Sequence, residues 1–139
     1  MDDYLHRYAL QQRRRGVSSV YVLVDDQSPR DILGFYTLSA AQVDVAQLAP
    51  KDQKSLPRYP VPCFRMGRLA AARNAQAQGI GRLLVGCAVA RCLAARKEVA
   101  AYALIVDAKD EASARFYLYY GFTQCSQAPL TLYLPLGAA

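Results

Sequence analysis

The 139-residue chain is 53% apolar and 20% charged, a balance that supports one globular domain over residues 1–139 and excludes a disordered chain. Lysine and arginine outnumber aspartate and glutamate by 17 to 11, and the net charge of +6 suits a polyanionic ligand or partner. A single histidine, His6, excludes a multi-histidine centre, so no metal is expected.

No apolar run reaches the roughly 18 residues of a membrane span, and Met1-Asp2-Asp3-Tyr4 lacks the basic and apolar parts of a signal peptide. A cytoplasmic protein without a membrane partner is expected. The four cysteines, Cys63, Cys87, Cys92 and Cys125, form no Cys-x-x-Cys pair and read as buried thiols.

In chain order, Asp2 to Arg15 carries Tyr4, Leu5, Tyr8, Ala9 and Leu10 at helical spacing, with a basic end at Arg13-Arg14-Arg15 and Gly16 as its stop. Ser18 to Val24 and Ile32 to Leu38 are β-branched and aromatic around a turn-like Asp25 to Arg30, which predicts an antiparallel hairpin. Ala49 to Pro62 holds four prolines and three cations and is expected to be an irregular functional loop with at most one helical turn. A strand follows from Phe64 to Ala71.

The central helix is expected from Gly79 to Lys97. Leu83, Leu84, Val85, Cys87, Val89, Cys92 and Leu93 make it apolar nearly all round, so it should be mostly buried. Ala100 to Asp107 reads as a strand and Asp110 to Tyr120 as a helix stopped at Gly121-Phe122. A strand to Cys125 follows, and Thr131 to Leu134 closes the sheet after Pro129. Strand, helix and strand from Phe64 to Asp107 imply a parallel crossover within a mostly antiparallel sheet, an α/β (α+β) fold.

The stretch from Met66 to Leu84 is the one most suited to a ligand. Gly79 and Gly81 allow close approach of an anion, and the helix after them offers unpaired N–H groups and the positive end of its dipole, a cradle for phosphate. A nucleoside-triphosphate loop would need Lys-Ser/Thr where Arg82-Leu83 stands, and a dinucleotide fingerprint would need a glycine at Leu84.

What remains is Gln76-x-x-Gly79-x-Gly81, which resembles the coenzyme A pyrophosphate loop of the GNAT family of N-acetyltransferases. Asp110 to Phe122, with Phe116-Tyr117 followed by Gly121-Phe122, resembles the family's second signature. Gly34-Phe35-Tyr36-Thr37-Leu38-Ser39, Gly67-Arg68-Leu69-Ala70 and Pro129-Leu130-Thr131-Leu132, with the proline-rich loop, are similar to the acetyltransferase toxins of bacterial toxin–antitoxin pairs. The chain departs from these patterns at Ala72, Ala77, Asp110 and Ser113, and where the family begins with a strand and further helical structure, this sequence starts at the helix that Asp2 to Arg15 resembles, so a fold without the first strand is expected, the start being truncated or that strand dispensable.

The resemblance implies acetyl-CoA as co-substrate, held by the backbone of Leu69, Ala70 and Ala71 and by Gln76, Gln78, Gly79, Ile80, Gly81 and Arg82. It implies Tyr117 as the group that protonates the departing thiolate. The implied activity is transfer of acetyl to the α-amino group of aminoacyl-tRNA, which blocks translation, with a ribbon-helix-helix antitoxin as partner. Arg13, Arg14, Arg15, Lys51, Lys54 and Arg58 are the expected RNA contacts, with Arg91, Arg96 and Lys97 as further cations. Transfer to a small amine or protein N-terminus, or a weakly active chain that mainly binds its antitoxin, are the other readings. An open sheet edge at Ser18 to Val24 predicts a homodimer.

Overall fold

The computed structural model describes residues 18–25, 28–71 and 79–137. The expected first helix, with Arg13, Arg14 and Arg15, lies outside the described residues, as do Gln76 and Gln78. The elements are β1 (Ser19–Asp25), β2 (Ser28–Val43), a 3₁₀ turn (Val45–Gln47), α1 (Pro50–Gln53), β3 (Val61–Ala71), α2 (Ile80–Ala95), β4 (Ala103–Asp107), α3 (Glu111–Tyr119), β5 (Thr123–Cys125) and β6 (Ala128–Pro135).

Hydrogen bonds link the strands in the order β1-β2-β3-β4-β6-β5, with one parallel pair among antiparallel ones. The strands β3 and β4, joined through α2, are neighbours in that order, as expected from the strand-helix-strand pattern. The described residues pack as two compact units, one drawn from 18–39 and 66–91, the other from 40–65 and 92–137.

In the first unit β1 pairs antiparallel with β2 in the register Val20↔Thr37, Tyr21↔Tyr36 and Leu23↔Gly34, with irregularities around Val24. Val20, Val22 and Phe35 share one face of this pair; Val20 and Phe35 are buried in a small cluster with Ile32 and Ala70 against it, whereas Val22, like Val24, remains exposed. On the other face of the pair the rings of Tyr21 and Tyr36 stack with centroids 5.1 Å apart. β1 ends the strand order.

The helix α2 buries Ile80, Leu84, Val85, Ala88 and Cys92, a single stripe at helical spacing. Leu83 and Leu93 are 50% and 39% exposed, so the expectation of a mostly buried helix is corrected. Apolar composition all round concealed which side is covered.

In the second unit a core cluster is built from Val43, Val45, Leu48, Val61, Cys63, Ala103, Ile105, Cys125 and Tyr133. β6 pairs antiparallel with β4 on one side (Ile105↔Tyr133) and with β5 on the other (Gln124↔Leu132). Pro129 therefore lies inside a strand rather than before it, where its carbonyl accepts a bond from Gln124 Nε2 at 2.9 Å. β2 also runs past the expected end at Leu38, because its core-facing residue Val43 is buried although Ala40-Ala41-Gln42 has little strand character. Arg65 pairs with Asp107, whose other oxygen accepts from Thr131 Oγ1 at 3.2 Å.

Candidate functional site

Of the expected coenzyme residues, the first unit contains Leu69 and Ala70, half-buried near the end of β3, Ala71 as its last residue, and the whole start of α2. Gly79 has φ +74°, the left-handed conformation that strains any residue with a side chain. A Cβ built there meets no atom within 4 Å, so the approach to this turn is open.

The first intrahelical bond runs from Leu83 N–H to the Gly79 carbonyl at 3.2 Å. The N–H groups of Ile80, Gly81 and Arg82 consequently have no partner within the helix, and its first turn has no acidic side chain to repel an anion. Buried Ile80 roots this turn, and exposed Arg82 adds charge beside it. Among the described residues these N–H groups have no partner, and a helix start of this kind, with its positive dipole end, is able to take an anion. Gln76 and Gln78 lie outside the described residues.

In the second unit α3 is fastened at both ends. Asp110 caps its start by accepting the Ser113 N–H at 2.8 Å, and that hydrogen bond holds the Asp110 carboxyl below its usual pKa. At the other end Gly121 N–H reaches the Leu118 carbonyl and Phe122 N–H the Tyr117 carbonyl, both at 3.1 Å, with Gly121 at φ +96°. This is a Schellman motif, whose expected apolar clasp is the contact of Tyr117 with Phe122, ring centroids 5.3 Å apart. The spacing from Tyr117 to Gly121-Phe122 is thus the geometry that ends the helix and pins the tyrosine.

Tyr117 is 7% exposed, also meets Phe116 edge-on at 5.2 Å, and has its pKa pushed up to about 12 by burial. Its hydroxyl has no hydrogen bond among the described residues. A buried ring presenting a free, protonated hydroxyl is a hydrogen-bond donor at neutral pH.

The loop cations Lys51, Lys54 and Arg58 are exposed and unpaired among the described residues. The loop beneath them is held by groups that the sequence reading did not single out. The fully buried Tyr133 donates its hydroxyl to Asp52 Oδ2 at 2.5 Å and accepts the Ala49 N–H at 2.9 Å. Burial first, then the carboxylate bond, raises the Tyr133 pKa. Only the inward parity of Tyr133 in its strand could have signalled this anchor.

Two of the further cations are already engaged. Arg91 lies over the Tyr21 ring at 4.3 Å and bonds to Tyr36, whose pKa burial raises and Arg91 partly lowers again. Arg96 Nη1 donates to the Leu136 carbonyl at 2.6 Å.

Residues 2–122 match the acetyltransferase (GNAT) family, and the chain belongs to that family. It is an acetyl-CoA-dependent N-acetyltransferase. Among individual proteins it is 31% identical over 134 residues to the tRNA-acetylating toxin of Mycobacterium tuberculosis, covering 96% of this chain and 78% of the relative.

The structure of AtaT complexed with acetyl-methionyl-tRNAfMet superposes with TM-score 0.87 at 30% identity, covering 95% of this chain and 79% of that one. A tyrosine-to-phenylalanine mutant of the same toxin, bound to the C-terminus of the antitoxin AtaR and acetyl-CoA, gives TM-score 0.77 at 26% identity over 96% and 77% of the two chains.

Proposed function

We propose that this chain is a toxin that acetylates the α-amino group of aminoacyl-tRNA and thereby blocks translation in the cytoplasm, and that a ribbon-helix-helix antitoxin neutralises it. The observation that carries this reading is likeness to tRNA-acetylating relatives over 95% or more of the chain, including a toxin bound to an acetylated aminoacyl-tRNA. The whole chain, 1–139, acts as one N-acetyltransferase domain in this reading. No described helix is long and apolar enough to cross a membrane.

Acetyl-CoA supplies the acetyl group as a thioester. Its pyrophosphate is taken by the N–H groups of Ile80, Gly81 and Arg82, with Gln76 and Gln78 before them, and the backbone of Leu69, Ala70 and Ala71 orients its arm. The attacking α-amine has a pKa near 8, so an appreciable fraction is neutral at cellular pH and no strong base is needed.

The amine nitrogen bonds to the carbonyl carbon, the carbon–sulfur bond breaks, and the proton lost by nitrogen balances the one gained by sulfur. Tyr117, protonated up to about pH 12, donates to the sulfur as its charge develops. A thiol pKa near 8.5 lies well below that of the tyrosine, so the tyrosine recovers its proton from the attacking nitrogen rather than remaining a phenolate. Arg13, Arg14, Arg15, Lys51, Lys54 and Arg58 pair the phosphates of the RNA.

The reading is tested by offering labelled acetyl-CoA with charged tRNA, uncharged tRNA, polyamine and peptide. Label should enter charged tRNA alone. Label on polyamine alone would overturn it.

A further inference from the structure

Between Leu56, packed on the core, and buried Val61, the loop projects Pro57-Arg58-Tyr59-Pro60. Tyr59 is 67% exposed. The other tyrosine more than half exposed among the described residues, Tyr119, lies edge-on to Tyr120 with centroids 4.9 Å apart, whereas the Tyr59 ring has no ring contact and its hydroxyl no hydrogen bond. Prolines on either side fix φ and leave little backbone freedom to lose on binding.

The surroundings are one-signed. From Ala49 to Pro62 the cations Lys51, Lys54 and Arg58 are exposed, and the single acid, Asp52, turns its carboxylate inward to the Tyr133 hydroxyl. A bare aromatic face beside unpaired cations suits a strand that offers both a base plane and a phosphate. Duplex RNA hides its base planes, and an acidic peptide would use the cations but leave the ring idle.

We infer that Tyr59 is a stacking platform for an unpaired base at the 3′ end of the RNA substrate, with Arg58 taking the adjoining phosphate. This rests on the aminoacyl-tRNA reading for its choice of RNA. The platform separates RNA-borne amines from free ones by gripping the strand that carries the amine.

Binding of a fluorescent single-stranded oligoribonucleotide ending in CCA, followed by anisotropy, tests it without catalysis. Tyr59→Ala should weaken binding about 5- to 150-fold, the usual worth of one stacked base. Tyr59→Phe should restore it, and Tyr119→Ala should bind like wild type. Arg58→Ala should lower the salt slope by about 0.7, while Tyr59→Ala leaves the slope unchanged.

In acetyl transfer to aminoacyl-tRNA, Tyr59→Ala should raise KM with kcat unchanged. Unchanged melting temperature in Tyr59→Ala confirms folding, since the ring is mostly in solvent. Wild-type oligonucleotide affinity in Tyr59→Ala overturns the platform, as does a loss that Tyr59→Phe shares or displacement of an acidic peptide without effect on RNA. If the wild type acetylates no aminoacyl-tRNA yet grips the oligonucleotide through Tyr59, the substrate assignment fails and the platform stands.

Discussion

The two signature helices differ in how their ends are finished. The start of α2 leaves the N–H groups of Ile80, Gly81 and Arg82 without intrahelical partners, no acid in the turn and open space at Gly79. In α3 the Asp110 carboxylate takes the Ser113 N–H, and the Gly121 and Phe122 N–H groups take the last carbonyls. An open helix end costs intrahelical satisfaction and gains a ligand surface, while a closed one spends its polar groups on holding a side chain still. In the mechanism proposed above the backbone is the functional group of the first helix, and in the second helix it is the mount for one.

The sharpest way to break this comparison is to charge the open end. Gly81→Asp places a carboxylate among the N–H groups, about 4 kcal/mol of repulsion toward one phosphate charge at 4 Å and intermediate dielectric, enough to lower acetyl-CoA affinity by about 10²–10³-fold and abolish measurable binding. The helix itself should tolerate an acid in its first turn. Calorimetry that finds unchanged affinity in a folded variant removes this turn from the coenzyme site.

At the closed end the corresponding change is Tyr117→Phe. The ring contacts with Phe116 and Phe122 survive, coenzyme affinity should hold, and turnover should fall about 10²–10⁴-fold, the usual range for losing a general acid. In the toxin reading the variant also stops arresting growth when expressed without antitoxin. Tyr119→Phe and Tyr120→Phe should remain active. Near-wild-type turnover by Tyr117→Phe returns the proton to water.

Alkaline pH acts on the second unit. Burial pushes Cys63 and Cys92 from 9.0 up to about 11 and Tyr117 from 10.0 up to about 12. These groups lose protons first in the unfolded chain, so their stabilisation is complete below about pH 9 and is lost as pH rises through about 11 to 12. Melting temperatures taken from about pH 8 upward should be flat and then decline. A decline already near pH 8 would assign the loss to other groups.

The sequence made the α3 signature readable because its information is local. The Schellman clasp needs Tyr117, Gly121 and Phe122 within six positions, and each residue type is demanded by one physical requirement. The α2 start was readable for the same reason. The covered side of α2 was not, since Leu83 and Leu84 look alike in sequence and differ only in what lies over them. The anchor of the cationic loop was hidden by separation, with Tyr133 lying 81 positions from Asp52, and the Arg65 pair with Asp107 spans 42. Long-range polar pairs leave no periodic trace.

The smallest expected effect sharpens the comparison most, because it uses one substitution twice. Gly79 and Gly121 have φ of +74° and +96°, and an added Cβ meets nothing within 4 Å at the first and only Leu134 Cδ1 at 4.0 Å at the second. Neither Gly79→Ala nor Gly121→Ala therefore creates a clash, and each should lower stability by about 1–2 kcal/mol through backbone strain alone. Denaturant melts should show the two losses alike. Function should separate them: Gly79→Ala shifts the turn that aims the N–H groups of Ile80, Gly81 and Arg82 and so weakens acetyl-CoA binding, whereas Gly121→Ala leaves that affinity alone and loosens the clasp on Tyr117, lowering kcat. Coenzyme affinity that falls equally in both variants would mean that the two helix ends do not divide the labour as their geometry indicates.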